Sequence, residues 1–254
     1  MTSPHDRVAL VTGAGSGIGR ASVQLLVADG WRVVLSGRRV AALRDSIARC
    51  GDPFGDIRER AFAVPADVTR PDAVASLFDF VRARLGRLDF LFNNAGVFTP
   101  TMPLEDLPVA LWRTALDTNA TGAFLCTQQA FRMMKAQTPR GGRIVNNGSI
   151  ALRSPRAHCA AYVASKHALT GLTQAAALDG RAHNIAVGQL DLGPVEFSAQ
   201  GPDLAGADGT LRSEPRMALA DVASTVLYLA KLPPQCNVVG LTLLPTQLAL
   251  VGRG

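Results

Sequence analysis

Tyr162 and Lys166 stand four residues apart in Tyr162-Val163-Ala164-Ser165-Lys166, opening an apolar segment that reads as helix through Leu178. That spacing puts both side chains on one helical face. A phenol of pKa ~10 is a poor acid–base at neutral pH, and an adjacent ammonium favours its phenolate. Lowering it by about three units takes roughly 4 kcal/mol of differential stabilisation. Taken alone, such a pair is usually ordinary helix surface, so its neighbours decide. Ser149 lies upstream, in Ile144-Val145-Asn146-Asn147-Gly148-Ser149, just past an apolar strand pattern. From there it can hydrogen-bond a carbonyl oxygen that Tyr162 protonates. Asn119, in Asp117-Thr118-Asn119-Ala120-Thr121-Gly122, interrupts an apolar helical stretch. Its amide needs a partner, with a water as one candidate and a plain helix cap as the alternative.

A second constellation lies near the N-terminus. Val8-Ala9-Leu10-Val11 runs into Thr12-Gly13-Ala14-Gly15-Ser16-Gly17-Ile18-Gly19 and then a helical pattern. Gly13 suits a tight turn, Gly17 a close approach to pyrophosphate, and Gly19 close packing of helix on strand. The helix N-terminus adds N–H groups and a partial positive charge, so Gly13, Gly15, Ser16, Gly17, Ile18 and Gly19 form a candidate dinucleotide cradle. At the end of the second strand, Val33-Val34-Leu35-Ser36-Gly37-Arg38-Arg39 carries no acid to bind two free ribose hydroxyls. Arg38, with Arg39, can instead meet a 2′-phosphate, one such bond being worth about 1.5–3 kcal/mol. NADP is therefore expected ahead of NAD.

The elements that must position these residues follow from periodicity. Seven short apolar runs read as strands buried on both faces: Val8–Val11, Val33–Leu35, Ala61–Val64, Phe90–Phe92, Ile144–Asn146, Ile185–Gln189 and Val239–Leu243. Helical patterns alternate with them, for example Val23, Leu26 and Val27, or Leu77, Val81 and Leu85. The expectation is an α/β, Rossmann-like, doubly wound parallel sheet with helices on both faces, formed by residues 1–254 as one domain. The stretch 193–217 is long for a connector and reads as a substrate lid. Its Phe197, Leu204 and Leu211 lean towards an apolar or medium-sized carbonyl compound. Asp191 and Glu196 beside it could contact substrate but read foremost as solvated loop carboxylates, and Cys159 as a buried small residue or a pocket wall.

Together these motifs resemble the short-chain dehydrogenase/reductase family, in its single-domain branch of about this length. Thr12-Gly13-x-x-x-Gly17-x-Gly19 is similar to its cofactor turn, and Asp67-Val68 to its adenine-contacting pair. Asn93-Asn94-Ala95-Gly96 resembles the motif that stabilises the sheet beside the cofactor. Asn119, Ser149, Tyr162 and Lys166 fall in the order and spacing of its catalytic tetrad. The resemblance implies a seven-stranded sheet and Tyr162 as acid–base, with Lys166 lowering its pKa and holding the ribose. It implies Ser149 as substrate anchor and Asn119 as holder of a relay water. It further implies that Gly193 and Val195 border the nicotinamide, and that a homotetramer or dimer packs through the helices containing Asn119 and Tyr162. Leu192 and Phe197 depart from the family's Pro and Thr, and the usual Gly-Gly near the C-terminus is replaced by Leu244-Pro245-Thr246.

Other classes are disfavoured. The net charge of +6 comes from scattered Lys and Arg, and 6% aromatics show no interleaving with them, which argues against nucleic acid. No uninterrupted apolar run approaches a membrane span, and Met1 to Arg7 lacks a secretion layout, so a cytoplasmic address is the default. Cys50, Cys126, Cys159 and Cys236 lie far apart and read as four reduced thiols, with no metal site. The expected activity is hydride transfer between the nicotinamide and a carbonyl/alcohol pair, foremost NADPH-dependent reduction of a ketone or aldehyde. An NAD-dependent alcohol dehydrogenase and a non-catalytic dinucleotide sensor are the alternatives.

Overall fold

The computed structural model describes residues 7–51, 55–196 and 214–250. Its elements run β1 (Val8–Thr12), α1 (Gly17–Ala28), β2 (Arg32–Gly37), α2 (Val40–Ala48), β3 (Ala61–Pro65), α3 (Pro71–Leu85) and β4 (Phe90–Asn93). They continue as α4 (Val109–Leu116), α5 (Gly122–Ala136), β5 (Gly142–Asn147), α6 (Ala160–Gly180), β6 (Ile185–Leu192), α7 (Leu219–Lys231) and β7 (Gly240–Leu243). All seven strands expected from the apolar runs form. They pair in parallel in the order β3-β2-β1-β4-β5-β6-β7.

The alternation of side chains along each strand builds two cores. Ala9 and Val11 of β1 join Val33, Leu35, Phe90 and Phe92 under α1 and α7, where Val23, Leu26, Val222 and Val226 meet them. Val8 and Leu10 point the other way, with Val34, Leu91 and Ile144, against Leu77, Phe78 and Val81 of α3 and Ala130, Met133 and Met134 of α5. A sheet covered on both faces explains strands that are apolar throughout. Local signals mark the helix ends. α3 begins with Pro71, whose missing N–H is no loss there, and ends at Gly86, with φ 75°.

The chain passes outward from β1 to β3, then returns to place β4 on the other side of β1. The carboxyl ends of β1 and β4 therefore flank the reversal point, where open α/β sheets leave a crevice. Strand bounds differ from the expected ones by one to three residues, β2, β5 and β6 each running three residues longer and β7 starting one residue later. β6 continues past Gln189 through Asp191 and Leu192, which pair with Thr242 and Leu243 of β7. Of the expected lid, residues 197–213 lie outside the described residues, among them Phe197, Ser198, Leu204 and Leu211.

Candidate active site

The glycine turn leaves β1 and enters α1 under two close constraints. Gly13 has φ 64°, and a Cβ there would lie 2.9 Å from the Ala95 Cα. At Gly19 a Cβ would lie 2.4 Å from the Gly13 carbonyl oxygen, so the helix rests directly on the turn. Ser16 precedes α1 in an extended conformation and makes no side-chain cap, and the first turn contains no acidic residue. The leading N–H groups of α1 thus lack a side-chain acceptor, an arrangement suited to an anion. Gly15 instead packs against Ala42 of α2.

A polar relay links this turn to α6. Asn94 Nδ2 donates to the Thr12 carbonyl at 3.0 Å, and Asn147 Nδ2 donates to Asn94 Oδ1 at 2.9 Å. Lys166 Nζ donates to the Asn147 carbonyl at 2.6 Å. Lys166 is 6% exposed, so it belongs to the interior rather than to a solvated helix face. Burial pulls its pKa down to about 8, against the opposing charge of Asp191. Tyr162 lies beside it, with Nζ 5.6 Å from the ring centroid and the Phe98 ring 4.7 Å away on another side. The Ser149 hydroxyl accepts the Ala151 N–H at 3.1 Å and lies near enough to the phenol to act on its pKa as a hydrogen-bond partner.

Two of these residues have surroundings that the sequence does not reveal. The ammonium was expected to lower the Tyr162 pKa. Here burial pushes the phenol above its ordinary value, Ser149 pulls it down, and Cys159 and Asp191 push it further up. The Lys166 ammonium is turned to the Asn147 carbonyl, and desolvation disfavours the phenolate more strongly than the remaining groups favour it. For Asn119, in an expected helix, the sequence leaves a water and a plain helix cap both open. The residue occupies a π-helical turn, Asp117–Thr121, between α4 and α5. Its Oδ1 accepts the Val97 N–H at 2.8 Å, while Nδ2 donates to the Val97 carbonyl at 3.0 Å and to Ser165 Oγ at 2.9 Å. The amide therefore ties the loop after β4 to α6, and protein groups satisfy it.

A cavity of about 1010 Å³ spans the carboxyl ends of the strands. Gly13, Ser16, Gly17, Ile18, Asn94, Gly96, Ser149, Tyr162, Lys166, Gly193 and Val195 all line it. Gly15, Gly19, Ala95 and Asn119 support its walls from behind. Val195 bridges to Met217 through bonds made by the Pro194 carbonyl and the Glu196 N–H, which leaves its own N–H and C=O out of the pairing. Further off, Arg38 and Arg39 are exposed beyond β2, and the Arg38 charge helps hold the Asp67 carboxyl below its usual range, behind the larger effect of the Thr69 N–H. Asp67 Oδ1 accepts that N–H at 3.0 Å, and the buried Val68 packs where a Cβ on Gly122 would intrude.

Sequence reasoning missed several residues. Asp191, read as a solvated loop carboxylate, is a β6 residue and 8% exposed. The alternation of Val187, Gln189 and Asp191 with apolar neighbours was the signal that could have extended the strand. Arg156 and Glu214 form an ion pair on the cavity wall, which a sequence cannot pair across such a separation. Cys159 is both buried and part of the wall, whereas Glu196 is exposed. The four cysteines are free thiols. Among the described residues no cluster suited to a metal occurs, and no helix is long and apolar enough to cross a membrane.

Comparison with known proteins places this geometry. Residues 7–204 match the short chain dehydrogenase family. Cis-4-hydroxycyclohexanecarboxylate dehydrogenase of Sinomonas cyclohexanicum is 38% identical over 233 residues, 89% of each chain. Sulfoacetaldehyde reductase 2 of Chromohalobacter salexigens is 31% identical over 95% of each chain. Among solved structures, a metagenomic short-chain oxidoreductase in complex with NADP superposes with a TM-score of 0.77 at 31% identity, covering 96% of this chain and 99% of that one. From the family match and these relatives, the chain belongs to the short-chain dehydrogenase/reductase family and is an oxidoreductase acting on an alcohol/carbonyl pair.

Proposed function

We propose that the protein is an NADPH-dependent reductase of a ketone or aldehyde. The observation that carries this reading is that Ser149, Tyr162 and Lys166 line the same cavity as the glycine turn. When bound, the nicotinamide supplies the hydride. Ser149 holds the substrate carbonyl oxygen, and Tyr162 hands it the proton that accompanies hydride arrival. Lys166, fixed by the Asn147 carbonyl, would hold the nicotinamide ribose, and Asn119 holds the loop and helix that shape the pocket. Gly13, Gly15, Ser16, Gly17, Ile18 and Gly19 form the pyrophosphate cradle. Asp67 and Val68 border the adenine, Asn94, Ala95 and Gly96 steady the sheet beside the cofactor, and Gly193 and Val195 border the carboxamide.

Arg38 and Arg39 beyond β2, with no acid in the strand end, support NADP over NAD. The metagenomic relative bound to NADP lends the same support. Dehydrogenase relatives such as that of Sinomonas favour a second reading, oxidation of a ring alcohol. The single seven-stranded sheet supports one catalytic domain.

The test is a screen of ketones and aldehydes with NADPH and NADH. Tyr162→Phe is expected to lower kcat by about 10²–10⁴-fold while dinucleotide binding survives. Arg38→Ala is expected to reduce the preference for NADPH about tenfold or more. Unchanged turnover in Tyr162→Phe would refute the assignment.

A further inference from the structure

Gly148, Gln189 and Asp191 form a built arrangement beneath the proton-transfer groups. Gln189 Nε2 donates to Asp191 Oδ1 at 2.7 Å, and the Ser149 N–H donates to the same oxygen at 3.2 Å. A Cβ on residue 148 would lie 2.0 Å from that oxygen and 2.8 Å from the Gln189 amide nitrogen. The carboxylate therefore occupies the room that a side chain at 148 would take. Gln189 is itself held, donating to Thr170 Oγ1 at 2.9 Å and lying 3.1 Å from Thr173 Oγ1, which accepts from Asn146 Nδ2 at 2.8 Å. Burying a carboxylate is costly unless it is bonded or opposed by charge. Burial raises the Asp191 pKa above its ordinary value, and the Gln189 and Ser149 donors together with the charges of Arg153 and Lys166 oppose that shift without cancelling it.

We propose that Asp191 is a positioning residue for proton transfer: its carboxylate, seated against Gly148 and held by Gln189, pins the Ser149 main chain and sets an acidic group near Tyr162 and Lys166. The inference rests on the reductase reading for its use, but not for its measurement. The groups facing Tyr162 are Ser149 from the end of β5, Cys159 and Lys166 from α6, Asp191 from β6 and the Phe98 ring. Those facing Asp191 are Gln189, Ser149, Arg153 and Lys166. Arg156, Glu214 and Arg216 sit on the cavity wall. Removing one negative charge from a coupled tyrosine–lysine pair lowers every macroscopic pKa of the pair, so the direction of the effect is fixed.

The chain has two tyrosines, and Tyr228 is 58% exposed on α7. A Tyr228→Phe background thus leaves Tyr162 as the sole phenol, and its ionisation can be titrated by phenolate absorbance or a ¹³C-labelled ring carbon, with and without NADP⁺. Asp191→Asn keeps an oxygen for the Ser149 N–H and removes only the charge. It is expected to lower the midpoint by about one unit. Gly148→Ala should displace the carboxylate and shift the midpoint the same way, and it carries the test if Asp191→Asn does not fold. A midpoint unchanged in Asp191→Asn, or in Gly148→Ala where that is the folded variant, overturns the proposal. A lowered midpoint without any carbonyl turnover upholds the role of Asp191 and rejects the reductase reading.

Discussion

Lys166 illustrates the opposition between stability and chemistry at a single residue. Its ammonium is buried and accepted by the Asn147 carbonyl, and its pKa falls to about 8 from an ordinary 10.5. Between those values the unfolded chain binds a proton that the folded chain does not, so stability rises with pH in that window. Below pH 8 both states are protonated and the penalty is fully present; above 10.5 it has vanished. Relative to Lys166→Met, the native protein should therefore gain up to about 3 kcal/mol from pH 8 to 10.5. Urea denaturation at several pH values checks this, and a difference that stays flat across the window would mean the ammonium is solvated. Asn119 shows the other side of residue-scale reasoning. Its importance was legible, but its partners, Val97 and Ser165, come from distant segments.

At the scale of elements, contact between helix and turn decides which glycines matter. Gly19 on α1 has the Gly13 carbonyl 2.4 Å and Asn94 Nδ2 2.6 Å from where a Cβ would go, both held by the turn itself. Gly19→Ala should destabilise by about 1–3 kcal/mol and weaken dinucleotide binding more than tenfold. Gly171, on α6, has nothing within 4 Å of that position. Gly171→Ala should stabilise by roughly 0.5–1 kcal/mol through helix propensity alone. Thermal unfolding with a dinucleotide titration separates the two, and similar effects from both would contradict the packing argument. The π-helical turn belongs at this scale as well. One extra residue between α4 and α5 rotates Asn119 inward to α6 and the loop after β4, a shift that a 3.6-residue periodicity cannot express.

At the scale of the whole molecule, α4 and α5 expose Val109, Trp112 and Phe124, and α6 exposes Leu178 near its end. These are the helices through which assembly was expected, and large apolar side chains on one region of a surface favour burial against another copy. Phe124→Glu is expected to lower the mass seen by light scattering after size exclusion. An unaltered mass in that variant, or a monomeric native protein, would move the interface elsewhere.

The seven strands, the glycine turn and the Ser149, Tyr162 and Lys166 set were readable from the chain. Their signals are local: apolar runs, turn residues and helical spacing are properties of a few neighbouring residues. The environment that sets the chemistry was not readable in the same way. The strand extension that buries Asp191, its approach to Gly148, and the burial that raises the Tyr162 phenol all arise where β5, β6 and α6 converge. Desolvation and through-space charge depend on distances between segments far apart in sequence, so only the tertiary structure brings burial and the Asp191 charge to bear on the phenol.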